Sequence, residues 1–231
     1  GFEISGWNFD IARLVKHSRD VSAQLSSGIE SLMRKNGVKV YAARARIESK
    51  GRLQLSLNNG DSLSLAAPHI VLATGARPRP LPGIVADGEH IWTYFEALVP
   101  KRVPESLLIV GSGAIGLEFA SFYADLGSRV TVVEAMQSCL PNEDTSVAAE
   151  VTRSLSSRGV TFHSSTRLTS TSVVGDSVVC ELTGPSDEFS QLTVDKVLIA
   201  AGVIGNVEDL GLDNIGLKPS NGMIPVDEWC R

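Results

Sequence analysis

The chain has 231 residues, of which 43% are hydrophobic and 20% are charged, with 21 glycines and 10 prolines. This balance is typical of globular domains and excludes disordered, collagen-like and disulfide-scaffold proteins. The formal net charge of -5 at pH 7 argues against a general nucleic-acid binder, because no basic excess is available to displace counterions from phosphates.

No apolar run approaches the roughly 18 residues that a membrane span needs. The first residues have neither the basic nor the apolar region of a signal peptide. We therefore expect no membrane association and a location in the cytoplasm or, after processing, in an organelle matrix or stroma. The chain does not begin with Met, so we expect it to be processed or cut from something longer.

The three cysteines, Cys139, Cys180 and Cys230, are far apart in sequence, and none has CxxC or CxxxxC spacing. This pattern argues against a disulfide framework and against a zinc site. We expect three isolated thiols, no metal site and no redox chemistry on these sulfurs.

The beginning of the chain predicts one long helix followed by an antiparallel ribbon. Apolar residues recur at three- and four-residue steps from Ile11 to Met33, Asn8 or Asp10 is placed to cap the start, and Gly37 is placed to end the helix. Strand-like runs follow at 38–41, 44–47, 53–57 and 62–65, and a further apolar run at 69–73 ends at Thr74-Gly75.

Residues 76–104 hold half of the prolines, which block helix continuation and indicate a connector between domains. The following region predicts an α/β domain. Its strands are expected at 107–110, 130–133, 160–163 and 194–200, its helices at 111–126 and 144–158, and a three-stranded β-meander at 168–174, 178–182 and 189–192. From Val203 onward the chain is expected to be loop-like.

A GxGxxG motif, Gly111-Ser112-Gly113-Ala114-Ile115-Gly116, lies directly between the first of these strands and a helix. Gly111 permits the tight turn, Gly113 lets the backbone approach a pyrophosphate, and Gly116 lets the helix pack closely on the strand. Free N–H groups at the helix start would hold the phosphates. The context predicts a dinucleotide site.

Glu134 ends the second strand, 18 residues after Gly116. A carboxylate there accepts hydrogen bonds from adenosine ribose hydroxyls and repels a 2′-phosphate, and no Arg follows it closely, so NAD is favoured over NADP. Glu118 is expected in the first turn of the motif's helix. We favour a role in complementing the helix dipole over contact with a nicotinamide.

Several segments together resemble a known family: Ile70–Pro78, Leu81–Gly83, Gly111–Glu118, Val130–Glu134 and Ala201–Leu212. In order and spacing they resemble the flavin-dependent pyridine nucleotide–disulfide oxidoreductases, and among them the central portion of the dihydrolipoamide dehydrogenases. The resemblance implies a Rossmann-like FAD/NAD(P)-binding fold, with part of a second, similar FAD domain. It assigns 1–85 to a partial FAD-domain segment, 86–104 to the connector, 105–203 to the NAD domain and 204–231 to a return segment toward the FAD domain.

The resemblance also implies site residues. NAD would be contacted by the residues from Gly111 to Gly116, Glu118 and Glu134, by Leu168 beside the adenine and by Gly202. FAD would meet the backbone near Ala43, where the family usually has glycine, and at Thr74, Gly75 and Ala76. A small dithiol or a lipoyl carrier is the implied substrate, and the full-length enzyme is expected to be a homodimer.

This chain lacks the family's FAD-binding GxGxxG and CxxxxC disulfide, and its four histidines do not match the catalytic histidine: His17, His69, His90 and His163. We therefore assign no catalytic residue, and we expect the isolated chain to be colourless and inactive. Two alternatives are another disulfide reductase of the superfamily, such as a mercuric or glutathione reductase, and a stand-alone dinucleotide-binding or sensing module. Basic residues near Glu134 would favour the first, and the sequence upstream of Gly1 would test the second.

Overall fold

A computed structural model describes residue 6 and residues 8–231. The helices are α1 (Ile11–Lys35), α2 (Tyr94–Ala97), α3 (Ala114–Asp125) and α4 (Thr145–Ser157). The strands are β1 (Ala43–Ser49), β2 (Arg52–Leu57), β3 (Ser62–Ala66), β4 (Ala76–Pro78), β5 (Ile91–Trp92), β6 (Ser106–Val110), β7 (Arg129–Val133), β8 (Thr161–His163), β9 (Arg167–Val174), β10 (Ser177–Thr183), β11 (Phe189–Val194), β12 (Lys196–Ile199) and β13 (Val203–Gly205). None of the helices described has both the length and the apolar composition that crossing a bilayer requires.

The chain divides into two compact units. The first unit consists of Pro78–Gly202 together with the described residues up to Asp20, and the second consists of Val21–Arg77 and Val203–Arg231. Each unit is therefore built from two stretches of chain, and helix α1 contributes to both.

The first unit is built on a five-stranded parallel sheet in the order β5-β12-β6-β7-β8. All five residues of the central strand β6 are buried, as expected for a parallel strand that is covered on both faces. Successive side chains of a strand point to opposite faces. Accordingly Leu107 and Ile109 belong to one hydrophobic cluster, and Leu108 and Val110 belong to another.

Different layers cover the two faces of this sheet. One cluster includes side chains of helices α3 and α4, such as Leu117 and Leu155. The other includes Val178, Cys180 and Leu182 of β10, the middle strand of an antiparallel meander in the order β11-β10-β9. The α/β fold, the parallel sheet with helices and the three-stranded meander predicted from the sequence are confirmed.

The second unit contains the antiparallel ribbon β1-β2-β3 and a two-stranded sheet of β4 and β13. The return segment docks on the ribbon, because the Ile47 amide donates to the Leu210 carbonyl at 2.7 Å and the Asn214 Nδ2 donates to the Ile47 carbonyl at 2.7 Å. Gly211 makes this approach possible. It has a φ of +75°, and a Cβ there would overlap the Ile47 carbonyl oxygen.

Other sequence predictions in this region need correction. The runs at 38–41 and 69–73 are not strands, and residues 203–205, expected in a loop, form β13. Neither run pairs with a described strand that would bury its alternate side chains. Val40 is accordingly 75% exposed and Val71 is 89% exposed.

The proline-rich segment contains regular elements that the sequence analysis did not predict. Strand β5 pairs with β12, and Trp92 joins the core cluster of the first unit. Helix α2 begins with a capping box in which the Thr93 side chain accepts from the Phe95 amide, while Glu96 accepts from the Thr93 amide.

Candidate functional site

The turn between β6 and α3 holds two glycines that the protein's own backbone requires. Gly111 has a φ of +106°, and a Cβ there would lie 2.5 Å from the Ala200 carbonyl oxygen. A Cβ on Gly116 would overlap the carbonyl oxygen of Gly111. The tight turn and the close helix packing expected for these two positions are therefore both present.

Gly113 differs from the other two glycines of the motif. It is the N-cap of α3, with extended backbone angles of φ -69° and ψ 178°, and no side chain caps the helix. A Cβ at this position would meet no atom within 4 Å. The first N–H groups of a helix have no intrahelical partner, and they favour an anion. The start of α3 therefore offers donors beside open space, which a bound pyrophosphate would fit.

Glu134 lies at the end of β7 and is 9% exposed. Its Oε2 accepts from the Ser112 amide at 2.9 Å and from the Ser112 hydroxyl at 2.8 Å, and its Oε1 accepts from the Met136 amide at 2.8 Å. The structure thus brings the acid of β7 together with the second residue of the glycine motif. Both residues were expected at the site from the sequence, but their contact with each other was not predicted.

Glu118 is not in the first turn of α3 as predicted, because the helix begins at Ala114 and Glu118 is its fifth residue. The helix dipole acts mainly within the first turn, so the predicted dipole role is weakened. Glu118 instead lines a cleft of about 410 Å³ between α3 and α4, together with Leu117, Leu140 and Val151. Its predicted contact with a nicotinamide stays a prediction.

Two further predicted NAD contacts have structural roles of their own. Leu168, on β9, is half-buried against the core cluster that covers the meander face of the sheet. Gly202 has a φ of +90°, and its carbonyl accepts from the Arg79 amide at 3.0 Å. The remaining motif residues, Ala114 and Ile115, are the first two residues of α3.

The predicted FAD-side residues lie in the second unit. Thr74, Gly75 and Ala76 are exposed, and Ala43 is the first residue of β1, opposite Leu57. The Thr74 hydroxyl donates to the Asn206 carbonyl at 2.8 Å, and the Asn206 amide donates to the Gly75 carbonyl at 3.0 Å. The sequence motif that begins with Thr74 is therefore joined to the return segment.

An ion pair strengthens the same junction. Arg77 donates to both carboxylate oxygens of Glu208, at 3.0 Å and 2.6 Å, and to the Gly205 carbonyl. The hydrogen bond from Arg77 lowers the pKa of the Glu208 carboxyl to about 2. This pair was not predicted from the sequence, because its members are 131 residues apart.

The Glu208→Gln variant is expected to lose stability at neutral pH but not in acid. The folded-state pKa of Glu208 lies below its ordinary value of 4.5, so its ion pair stabilises the folded protein fully above that value. This contribution is lost as the pH falls from about 5 to about 2. Urea midpoints measured across this range should therefore converge for the two proteins. A midpoint difference that is constant with pH would contradict the prediction.

The cysteines are free, and Cys139 and Cys180 are buried. Burial raises the pKa of the Cys180 thiol to about 12, which makes it a poor nucleophile. In the part of the chain that the structure describes, no three His, Cys, Asp or Glu side chains are placed to hold a metal ion.

The chain is similar to known proteins over nearly all of its length. It is 38% identical over 224 residues to the dihydrolipoyl dehydrogenase of Zymomonas mobilis and 39% identical over 236 residues to that of Rhizobium etli. The structure resembles LpdA from Mycobacterium tuberculosis with a TM-score of 0.84 at 28% identity, covering 94% of this chain and 48% of that one. It also resembles the HOCl-induced flavoprotein disulfide reductase RclA from Escherichia coli with a TM-score of 0.79 at 27% identity, covering 95% of this chain and 49% of that one.

The two curated relatives match 97% and 96% of this chain, but the chain spans only about half of their length, 48% and 49%. The family model described as pyridine nucleotide-disulphide oxidoreductase matches residues 3–231. With the glycine turn, the strand-end acid and the parallel sheet in place, the chain belongs to the pyridine nucleotide-disulphide oxidoreductase family.

Proposed function

We propose that the chain is the NAD-binding central region of a flavin-dependent, dihydrolipoamide dehydrogenase-like oxidoreductase. The relatives named dihydrolipoyl dehydrogenase support this assignment over nearly the whole chain. The whole protein would oxidise a small dithiol or a lipoyl carrier, act as a homodimer, and be located in the cytoplasm or an organelle matrix or stroma. When bound, FAD would carry the electrons taken from the dithiol, and NAD would accept them as a hydride.

The observation that carries the proposal is the pairing of an open helix start at Gly113 with the buried carboxylate of Glu134. Both follow from adjacent parallel strands, β6 and β7, whose carboxyl ends lie at the same edge of the sheet. Ligands of open α/β sheets bind outside this edge. The N–H groups of the first turn of α3 would hold the pyrophosphate, and Glu134 would bind the adenosine ribose.

Residues 105–203 would form the NAD domain, with Glu118, Leu168 and Gly202 along the path of the dinucleotide. The segments 1–85 and 204–231 would belong to the FAD domain. There the backbone at Ala43 and at Thr74–Ala76 would face the flavin dinucleotide. Hydrogen bonds join Thr74 and Gly75 of this backbone to Asn206 of the return segment.

The wild-type chain should bind NADH at least about tenfold more tightly than NADPH. The expected preference has two physical causes. A hydrogen bond to an ionised group contributes about 1.5–3 kcal/mol, and a 2′-phosphate would be repelled by the same carboxylate. Calorimetric titration of both nucleotides measures the preference directly, and equal affinities would contradict the proposal.

Variants of Glu134 assign the preference to this side chain. Glu134→Ala should reduce the preference for NADH over NADPH. Glu134→Gln keeps an acceptor for Ser112 but removes the charge, so it should reduce the same preference by improving NADPH binding. Glu181→Ala removes an exposed carboxylate from the meander strand β10 and should leave both affinities unchanged.

A further inference from the structure

The hydrogen bonds of Glu134 leave its carboxylate limited freedom to bind a ligand. An ionised carboxylate has about four lone-pair sites. The amide and the hydroxyl of Ser112 occupy two of them on Oε2, and the Met136 amide occupies one on Oε1. Acceptor capacity for a ribose hydroxyl therefore remains on Oε1, on the side of the carboxylate away from Ser112.

The Ser112 hydroxyl is the side-chain member of this set. The other two donors are backbone amides, which any non-proline residue supplies. Ser112 is 0% exposed, and Glu134 is the acceptor for its hydroxyl. The second position of the turn does not require a hydroxyl, because the tight turn depends on Gly111 and the close approach depends on Gly113. The hydroxyl is explained by its bond to Glu134.

We propose that Ser112 is a positioning residue for nucleotide recognition: its hydroxyl fixes the carboxylate of Glu134 so that Oε1 meets the adenosine 2′-hydroxyl. This inference rests on the proposed function, since it assumes that Glu134 binds the ribose. Removing the hydroxyl leaves the carboxylate with one backbone amide on each oxygen, that of Ser112 on Oε2 and that of Met136 on Oε1. The terminal torsion, which is broad for Glu, is then less restricted. The loss should appear only with ligands that use the 2′-hydroxyl.

The test compares three nucleotides on the purified chain by calorimetric titration: NADH, NADPH and an NADH analogue that lacks the adenosine 2′-hydroxyl. In Ser112→Ala, NADH affinity should fall about threefold to tenfold, which corresponds to about one hydrogen bond. The affinity for the analogue should change less than twofold, and the preference for NADH over NADPH should shrink. Ser112→Cys, which keeps the side-chain shape with a slightly larger atom and replaces a strong donor with a weak one, should shift in the same direction and serves as the test if the Ala variant unfolds.

The matched control is Ser128→Ala. Ser128 is also buried in the first unit, and its hydroxyl donates to the Pro104 carbonyl at 2.6 Å. This variant should lose stability without any change in nucleotide preference. Failure of the wild-type chain to prefer NADH would overturn the proposed function. An unchanged or increased NADH affinity in the Ser112 variants, or equal losses for NADH and the analogue, would overturn the role of Ser112 alone.

Discussion

The Gly113→Val variant should fold as the wild-type chain does and lose NADH affinity by about a hundredfold or more. Its backbone angles, φ -69° and ψ 178°, are in the extended region that β-branched residues favour. A Cβ at this position meets no protein atom within 4 Å. The added isopropyl group would instead occupy the space through which a pyrophosphate approaches the first amides of α3.

The measurement pairs a calorimetric titration with NADH and a urea unfolding curve on the same preparation. Stability should fall by about 1 kcal/mol, because valine is a poorer N-cap than glycine. Gly28→Val is the matched control, since Gly28 also has open space at its Cβ position and lies in helix α1. It should leave NADH binding unchanged. Normal NADH affinity in Gly113→Val would show that this loop is not the phosphate site.

The glycine turn could be predicted from the sequence because its determinants are local. An apolar run, three glycines at fixed spacing and a helical period fall within a short stretch, and each specifies the same strand–turn–helix. The position of Glu134 followed in the same way from the next strand. Its contact with Ser112 did not, because Ser112 reaches Glu134 only after β6 and β7 pair along their length.

Longer-range pairings were missed for the same reason. Strands β4 and β13 pair across most of the chain, and neither three-residue segment is long enough to show an alternating pattern. The bonds of Arg77 to Glu208 and of Thr74 to Asn206 also join distant segments. A single sequence contains no signal for such contacts.

Helix α1 shows a different limit of sequence patterns. Its apolar period correctly predicted a helix, yet none of its residues is buried, and Leu25 is 66% exposed. Periodicity specifies which side chains share a face of a helix, but it contains no information on what covers that face. The strand-like run at 38–41 was wrong because alternation alone likewise cannot supply a pairing strand.

The Gly116→Ala variant should lose about 3 kcal/mol or more of folding stability. The new Cβ would overlap the Gly111 carbonyl oxygen and also lie 3.4 Å from the Ala200 Cβ. Backbone atoms of a buried turn cannot move aside as the end of a flexible side chain can. Helix α3 would therefore have to shift away from β6, which disrupts the packing of Leu117 and Ala120 in the core cluster.

Gly113→Ala is the matched control for this prediction, because it adds the same methyl group three residues earlier, where no atom lies within 4 Å. It should cost less than about 1 kcal/mol. Urea unfolding of the two variants against the wild-type chain separates a glycine that the helix–strand packing requires from one that only a ligand requires. Equal stability of Gly116→Ala and Gly113→Ala would mean that the α3 start relaxes freely, and the distinction drawn between the two positions would then be wrong.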